Sequence, residues 1–377
     1  MYLTVNTRFL IPGNLTGFGH YTHEILSRIA HLHPEDHLEF LFDRKVPEAF
    51  IYHPGVRAYP LYPPARHPLL FYIWYQYSVR RHLRHHRPDV FFSPDSFMPI
   101  GLDCPSVITI HDVAHRRFPE AISVAHRWYY DVFIPKFVQA TTRIITISEF
   151  SRDEILHFYP AAEGKIDVVY NGTNTLYQPL PADEQEQVRN TYSQGYPYIL
   201  FTGAIHPRKN VTGLIAAFNA FRKTSAQPVR LVIVGPKAWG YKEVELAAER
   251  SPYRDDIVFP GYLEIRELVR VTAAAHVLGY ISLYEGFGLP VAEAMQSGVP
   301  VIVTRASAQS EVAGPAGLEV DPLDPQAIAE AFHRVFDHEE ERQTMISAGL
   351  TRSRLFSWDQ TAEKTYDVLQ RAAGKIS

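Results

Sequence analysis

From Tyr196 onward, short apolar runs alternate with amphipathic segments: YPYILFTG, VRLVIVG, DIVFPG, HVLGYIS, PVIVT and GLEVD, with helical spacing between them. Strands this uniformly apolar, separated by helices of about ten residues, predict a parallel sheet covered on both faces. In the helix predicted over 210–224, Val211, Leu214, Ile215, Phe218 and Phe221 share one face, and Asn210 stands at the capping position. The first half repeats the rhythm in YLTVNTRF, HLEFLF, DVFFSP, SVITIHD, RIITIS and KIDVVYNG, which predicts a second α/β sheet. Between Gly172 and Gly195 the text turns polar and proline-bearing (TNTLYQPLPADEQEQ). This predicts a linker at 176–195 joining domains at 1–175 and 196–357. FSWDQTAEKTYDVLQRAA predicts a final helix within 358–377. Ligands of open parallel sheets collect beyond the carboxyl ends of the strands, so residues directly after strands carry the candidate chemistry.

Two such junctions stand out. In GAIHPRKN, Gly203 lies at a strand end, and Arg208 and Lys209 lie just ahead of a helix. Two fixed cations plus the positive end of a helix dipole suit a phosphate or diphosphate, the plainer alternative being a solvated pair of loop cations. The second junction, SLYEGFGLPVAEAMQSG, follows the strand HVLGYIS. Gly286 and Gly288 let the backbone approach a ligand, Pro290 suits the first helical position and Gly298 suits the helix end. The amides of Gly286, Phe287, Gly288 and Leu289 are expected to face the ligand. Glu285 precedes the turn, and Glu293 is expected in the first helical turn. Carboxylates repel phosphate but accept hydrogen bonds from hydroxyls. A diphosphate between two hydroxyl-rich rings reconciles the two junctions, as in a nucleotide sugar. Either glutamate alone reads equally well as a surface charge or a helix-dipole partner.

A length of 377 residues suits two domains. With a formal net charge of −4 the chain carries no basic excess to hold a nucleic acid, and no such partner is expected. A single cysteine, Cys104, excludes an intrachain disulfide and a thiol cluster and reads as a small buried hydrophobe in a reducing compartment. The N-terminus lacks a charged segment followed by an apolar one, and no run approaches the roughly 18 apolar residues of a membrane span, so a cytoplasmic protein is expected.

EGFGLPVAEAMQSGVPVI, preceded by GAIHPRKN and followed by SEVAGPAGLEVDPLD, resembles the signature of retaining glycosyltransferases of family 4. The resemblance implies the α/β GT-B fold, two Rossmann-like doubly wound parallel-sheet domains facing each other across a cleft. It implies that Arg208 and Lys209 bind the donor diphosphate, that Glu293 binds the nucleotide ribose, and that Glu285 and the 286–289 amides hold the transferred sugar. Tyr262 occupies the place from which such enzymes contact the base, packing at a strand end being the alternative. NTRFLIPGNLTGFGHYTHEIL resembles the family's N-terminal glycine loop, in which Gly17 and Gly19 approach donor phosphate or acceptor. TIHDVAHRRFPE resembles its HD motif, with His111 reaching the donor sugar's hydroxyls or the developing charge, a purely structural histidine being the alternative. SEFSRDEIL resembles another family segment, though Ser151 and Glu154 equally fit a capping box. The chain departs from the pattern at Phe92, where the family often carries histidine. In the family the final helix crosses back onto the first domain. Trp358 is either its anchor or an ordinary core tryptophan.

The resemblance further implies retention of configuration. No DxD lies in a strand-end loop and no side chain is placed as a covalent nucleophile, so no cofactor and no obligatory metal are expected. The acceptor hydroxyl then attacks from the donor's own face and gives its proton to the departing phosphate. The expected reaction moves a mannose- or glucose-type hexose from a GDP- or UDP-linked donor to a glycan or lipid-linked acceptor in cell-surface polysaccharide synthesis. HPLLFYIWYQYSVRRHLRHHRPD, 67–89, joins an aromatic run to a basic one. It reads as a core helix with a polar face, or as a helix that lies on an anionic membrane. Three rivals fit less well. A glycoside hydrolase sets its carboxylates across a scissile bond, whereas Glu285 and Glu293 straddle one turn. A dinucleotide oxidoreductase needs a third glycine that GFGHYT lacks. A noncatalytic nucleotide-sugar- or carbohydrate-binding subunit that kept the fold is the alternative: Arg208, Lys209, Glu285 and Glu293 together argue against it, although binding residues survive in inactive proteins.

Overall fold

The computed structural model describes every residue except Asn14, Thr16, Arg66 and Ser377. The chain forms two compact units, 1–172 with 357–377, and 173–356. In the first, β1 (Tyr2–Asn6), β2 (His37–Phe42), β3 (Val56–Pro60), β4 (Val90–Ser93), β5 (Ser106–Thr109), β6 (Arg143–Thr146) and β7 (Ile166–Val168) pair in parallel in the order β3-β2-β1-β4-β5-β6-β7. The central strands are covered on both faces: Leu3, Val5, Phe91, Phe92, Val107 and Ile108 are all fully buried. β3 has no counterpart among the expected strands. It lies at the sheet edge, where Arg57 and Pro60 are exposed and break the apolar run.

In the second unit, β8 (Tyr198–Thr202), β9 (Arg230–Val234), β10 (Ile257–Gly261), β11 (Val277–Tyr280), β12 (Val301–Thr304) and β13 (Gly317–Val320) run parallel in the order β10-β9-β8-β11-β12-β13. Every one falls on an expected apolar run. Chain order reverses between β1 and β4 in one sheet and between β8 and β11 in the other, so connections leave these strands toward opposite faces and open a crevice at their carboxyl ends.

The helix Val211–Thr224 buries the expected face, but Asn210 does not cap it. Its backbone is left-handed (φ 54°), and Nδ2 donates instead to the carbonyls of Ile281 (3.3 Å) and Pro322 (2.7 Å), tying together the loops after β11 and β13. Within the stretch expected as a linker, Ala182–Ser193 is a helix of the second unit, with Val188 buried and Arg189 Nε donating to the Ala274 carbonyl at 3.1 Å. Only one strip of this helix is covered, which is why its composition reads as a linker. The helix Trp358–Ala372 belongs to the first unit. It packs on the helix Gly17–Leu32, with the rings of Tyr21 and Trp358 6.2 Å apart, and is pinned by Tyr366 Oη donating to Asp36 (2.6 Å). Trp358 is buried there.

Over 67–89 the chain is helical from Pro68 to His86, with a wider turn at Trp74–Val79, and ends at Arg87 with φ 50°. Trp74, Tyr75, Val79 and Leu83 enter the core, while Leu69, Tyr72 and Tyr77 are exposed. Among the described residues no helix is long and apolar enough to cross a membrane. Cys104 is half-buried, and burial pushes its thiol up to about 11, which leaves it inert.

Candidate active site

The crevice of the second sheet is built from the loops after β8 and β11. Gly203 continues β8 with φ 136°, and its carbonyl lies against Gly235, where a Cβ would stand 1.9 Å from that oxygen. Gly235 itself has φ 148°, so Gly235→Ala is expected to be strongly destabilising, by more than about 2 kcal/mol, as a lowered urea midpoint. Beyond Gly203 the single turn Pro207–Lys209 sets Arg208 and Lys209 side by side. The Leu283 amide donates to the Arg208 carbonyl at 2.8 Å and joins the two loops.

The cations do not stand open. Lys209 Nζ donates to Tyr280 Oη (2.6 Å) and Glu285 Oε1 (2.5 Å). Arg208 Nη1 lies 3.3 Å from Glu285 Oε2 and donates to the Tyr284 carbonyl. Burial alone would raise the Glu285 carboxyl, but Lys209 and then Arg208 outweigh it and hold the group below the usual carboxylate range. Burial likewise works against the Lys209 ammonium, and Glu285 restores it to above its ordinary value. All three groups are therefore charged at neutral pH, and the cluster carries one net positive charge before any ligand enters.

Gly288 (φ 102°) turns the chain into the helix Leu289–Gln296, with Pro290 in its first turn. Gly298 (φ 72°) follows the helix end. Gly286 is buried, while Leu289 is half-buried. Phe287 packs edge-on against Phe356 (5.5 Å), so its ring belongs to the core of the second unit. Glu293 falls just past the first turn in which it was expected, because the helix begins at Leu289, one residue before Pro290. Burial pushes its carboxyl up to about 7, against a hydrogen bond from Tyr177 that lowers it. The sign follows: the neutral form stabilises the fold below the ordinary carboxyl range, and that contribution is lost as pH rises through about 7. Glu293→Gln is expected to remove this loss, so that urea melts of the variant depend less on pH between 5 and 8 than those of the parent (~3 pH units). Tyr262, just after β10, is 67% exposed and does not pack at the strand end.

In the first unit, the position a Cβ would take on Gly17 meets none of the described residues within 4 Å, whereas one on Gly19 would meet the Phe9 carbonyl at 2.5 Å. Gly19 thus lets the helix press on the loop after β1. His111 follows β5, and its Nε2 lies 2.9 Å from the Pro94 carbonyl oxygen. That oxygen only accepts, so Nε2 carries the proton. Burial lowers the His111 pKa, with Pro94, Asp112 and Asp95 opposing, and the neutral ring keeps its lone pair at Nδ1. Ser148, not Ser151, caps the helix Glu149–Phe158, and Ser151 Oγ donates to the His111 carbonyl (3.3 Å). Glu154 pairs with Arg117 through two bonds of 2.7 and 2.6 Å, so the Ser151–Glu154 capping box does not form. Phe92 is a core side chain of β4, which removes it from the ligand face.

One pair was not anticipated. Arg8 follows β1 and Asp95 follows β4, and Arg8 Nε donates to Asp95 Oδ2 at 2.9 Å. Asp95 also accepts from Asn6 Nδ2 (3.1 Å), Ser93 Oγ (3.1 Å) and the Phe97 amide (2.9 Å). The signal available in the sequence was a charged residue two positions after each of two strands. Away from this crevice, Glu39 accepts from His82 Nε2 (2.9 Å) and His86 Nδ1 (3.0 Å), the grouping among the described residues with metal-ligand spacing.

Residues 17–176 match the family described as Glycosyltransferase Family 4, and residues 183–352 match Glycosyl transferases group 1. The MMP alpha-(1->4)-mannosyltransferase of Mycolicibacterium hassiacum is 30% identical over 287 residues, covering 72% of this chain and 67% of that protein. The chain belongs to glycosyltransferase family 4. The O-antigen chain mannosyltransferase B of Escherichia coli is 28% identical over 366 residues, 93% of this chain and 95% of that protein. The sucrose-phosphate synthase of Thermosynechococcus elongatus superposes with a TM-score of 0.80 at 19% identity over 99% of each chain, which shows the GT-B fold. In this glycosyltransferase the glycine turn and the Arg208–Lys209 pair thus lie where the second sheet reverses its order.

Proposed function

We propose that the enzyme is a retaining, metal-independent hexosyltransferase that moves mannose from a nucleoside-diphosphate donor to a hydroxyl of a growing cell-surface glycan. The observation that carries this is the Arg208–Lys209–Glu285 cluster at the switch point of the second sheet. The preference for mannose is supported by the mannosyltransferases among the relatives. A diphosphate brings more negative charge than Glu285 and draws Arg208 and Lys209 onto its oxygens. Glu285 is then released toward the hydroxyls of the transferred sugar, beside the 286–289 amides. Glu293 takes the ribose hydroxyls, and exposed Tyr262 is available to the base. His111 offers Nδ1 as an acceptor for a sugar hydroxyl.

As the bond from C1 to the diphosphate oxygen breaks, charge develops on that oxygen, and fixed cations stabilise it without reorganising. The acceptor oxygen bonds C1 from the same face, and its proton passes to the departing phosphate. Thermal shifts with GDP- and UDP-linked sugars identify the donor. Transfer in EDTA with the expected donor, and NMR of the product's anomeric carbon, then test metal independence and retention. Ribose hydroxyls donating to Glu293 favour its ionised form, so nucleotide binding at pH 7 is expected to release protons. The calorimetric enthalpy should then vary with the buffer's ionisation enthalpy, and Glu293→Gln should abolish that variation.

The helix at 67–89 supports peripheral contact with an anionic membrane and a lipid-linked acceptor. Exposed Leu69, Tyr72 and Tyr77 run into exposed Arg81, Arg84 and Arg87. Co-sedimentation with phosphatidylglycerol vesicles is expected for the parent and should be weakened by Leu69→Ser with Tyr77→Ser.

A further inference from the structure

In the amino-terminal half of β2, Glu39 is 1% exposed, and its carboxylate meets the helix Arg80–His86. His82 and His86 stand one turn apart on that helix, the i, i+4 spacing that puts two imidazoles on one face. His82 Nε2 lies 2.9 Å from Glu39 Oε2 and His86 Nδ1 lies 3.0 Å from Oε1. Among the described residues these three form the group whose ligand atoms all fall within 4.8 Å of one another. His37, two positions before Glu39 and on the same face of β2, brings Nε2 to 3.5 Å from Oε1. Tyrosines hold the rings from outside. Tyr59 stands edge-on to His82 (4.8 Å) and His86 (5.2 Å), and Tyr2 edge-on to His37 (4.5 Å).

An ion pair does not use all of these groups. One protonated imidazole is enough to neutralise Glu39, and the second ring, stacked on the first at 3.9 Å, is then superfluous. Protonating both would set two like charges face to face. A divalent cation employs every group at once, taking a lone pair from each ring and the charge of the carboxylate, while each ring keeps its proton on the other nitrogen. Zinc held at about 2.0 to 2.2 Å by tetrahedral nitrogen and oxygen ligands spaces them about 3.3 Å apart. The two separations from Glu39 are only slightly shorter, so the ion enters by spreading its ligands and not by rebuilding the site. Two imidazoles with one carboxylate favour zinc over magnesium or calcium, which take oxygen ligands. His86, 24% exposed, leaves the entry side open.

We propose that Glu39, His82 and His86, with His37 as the fourth ligand, form a structural zinc site that clamps the helix to the first sheet. The site lies toward the amino ends of the strands, whereas the crevice opens at their carboxyl ends, so the ion braces the fold and takes no part in sugar transfer. The inference goes beyond the glycosyltransferase reading and does not depend on it.

The test uses the full chain, stripped with EDTA and dialysed, with zinc chloride titrated by calorimetry and melting followed in parallel. One zinc per chain is expected, and zinc at about a hundred times its dissociation constant should raise the melting temperature of the first unit by about 5 to 10 °C. Magnesium should produce no shift. His86→Gln keeps a donor for Glu39 Oε1 but loses the imidazole, and should weaken zinc binding by about 100-fold or more. If His86→Gln does not fold, cobalt(II) in place of zinc on the parent chain decides, because a tetrahedral nitrogen and oxygen site absorbs intensely in the visible and an octahedral surface site only weakly. The absence of a melting shift, a magnesium response equal to that of zinc, parental zinc affinity in folded His86→Gln, or a weak cobalt band overturns the inference. Sugar transfer is not read, so each of these outcomes leaves the glycosyltransferase reading as it stands.

Discussion

Lys209→Ala is expected to lower turnover at saturating donor by about 10²- to 10³-fold, the cost typical of losing one preorganised electrostatic partner of a developing charge. Lys209 is nearly buried, fixed between Tyr280 and Glu285, and its side chain is 11% exposed. In such surroundings a unit charge acts more strongly than in water, and no reorganisation is needed as the diphosphate departs. The loss should therefore fall on the chemical step. Single-turnover transfer with the donor found by thermal shift measures it directly. A Lys209→Ala enzyme with unchanged turnover and a raised KM would place the lysine in ground-state binding alone. Arg208→Ala is expected to cost less, because its guanidinium is more exposed and lies farther from Glu285, at 3.3 Å. The two effects should not add, since both cations share one carboxylate.

The second sheet was legible because its strands are buried on both faces and spell unbroken apolar runs, as in the fully buried Ile199, Leu200, Val301 and Ile302. β3 was not, because an edge strand needs only part of that pattern. Arg208, Lys209 and Glu285 were each legible as chemistry, but their contact was not. Lys209 and Glu285 are 76 positions apart, and only the adjacency of β8 and β11 joins them. The apparent conflict of a carboxylate beside an anion site disappears once that adjacency is known, since the glutamate is the resident counter-ion of the cations. Arg8 and Asp95, 87 positions apart, escaped notice for the same reason, with the added distraction of the glycines that follow Arg8. Asn210 shows the limit of positional preference. It occupies the capping position, yet its amide serves two loops that the local sequence does not name. Glu293 was placed one residue too early in its helix, and Tyr177, which bonds it, lies in the stretch read as a linker.

Glu285→Ala is expected to destabilise the second unit by up to about 3 kcal/mol, because it leaves Lys209 and Arg208, whose side chains are 11% and 20% exposed, without their carboxylate. Urea unfolding followed by the fluorescence of Trp239, the tryptophan of that unit, reports the change. The pH dependence has the opposite sign to that of Glu293. The folded Glu285 carboxyl is held below its ordinary value by Lys209 and Arg208 against burial, so its contribution is present above the unfolded carboxyl range and lost as pH falls through the folded value. The difference between parent and Glu285→Ala should therefore shrink on acidification. Replacing both partners, Glu285→Leu with Lys209→Met, removes a cation together with its counter-ion and is expected to recover much of the lost stability, since an apolar pair of similar volume is often neutral or better in such a position. Activity should not recover with it. An apolar pair fills the space but supplies neither the charge that meets the leaving diphosphate nor an acceptor for the transferred sugar, so turnover should stay at least about 10²-fold below the parent. Glu285→Ala turning over at the parental rate with saturating donor would confine the glutamate to holding Arg208 and Lys209 in place, and a stable but active double variant would remove the whole cluster from the chemistry.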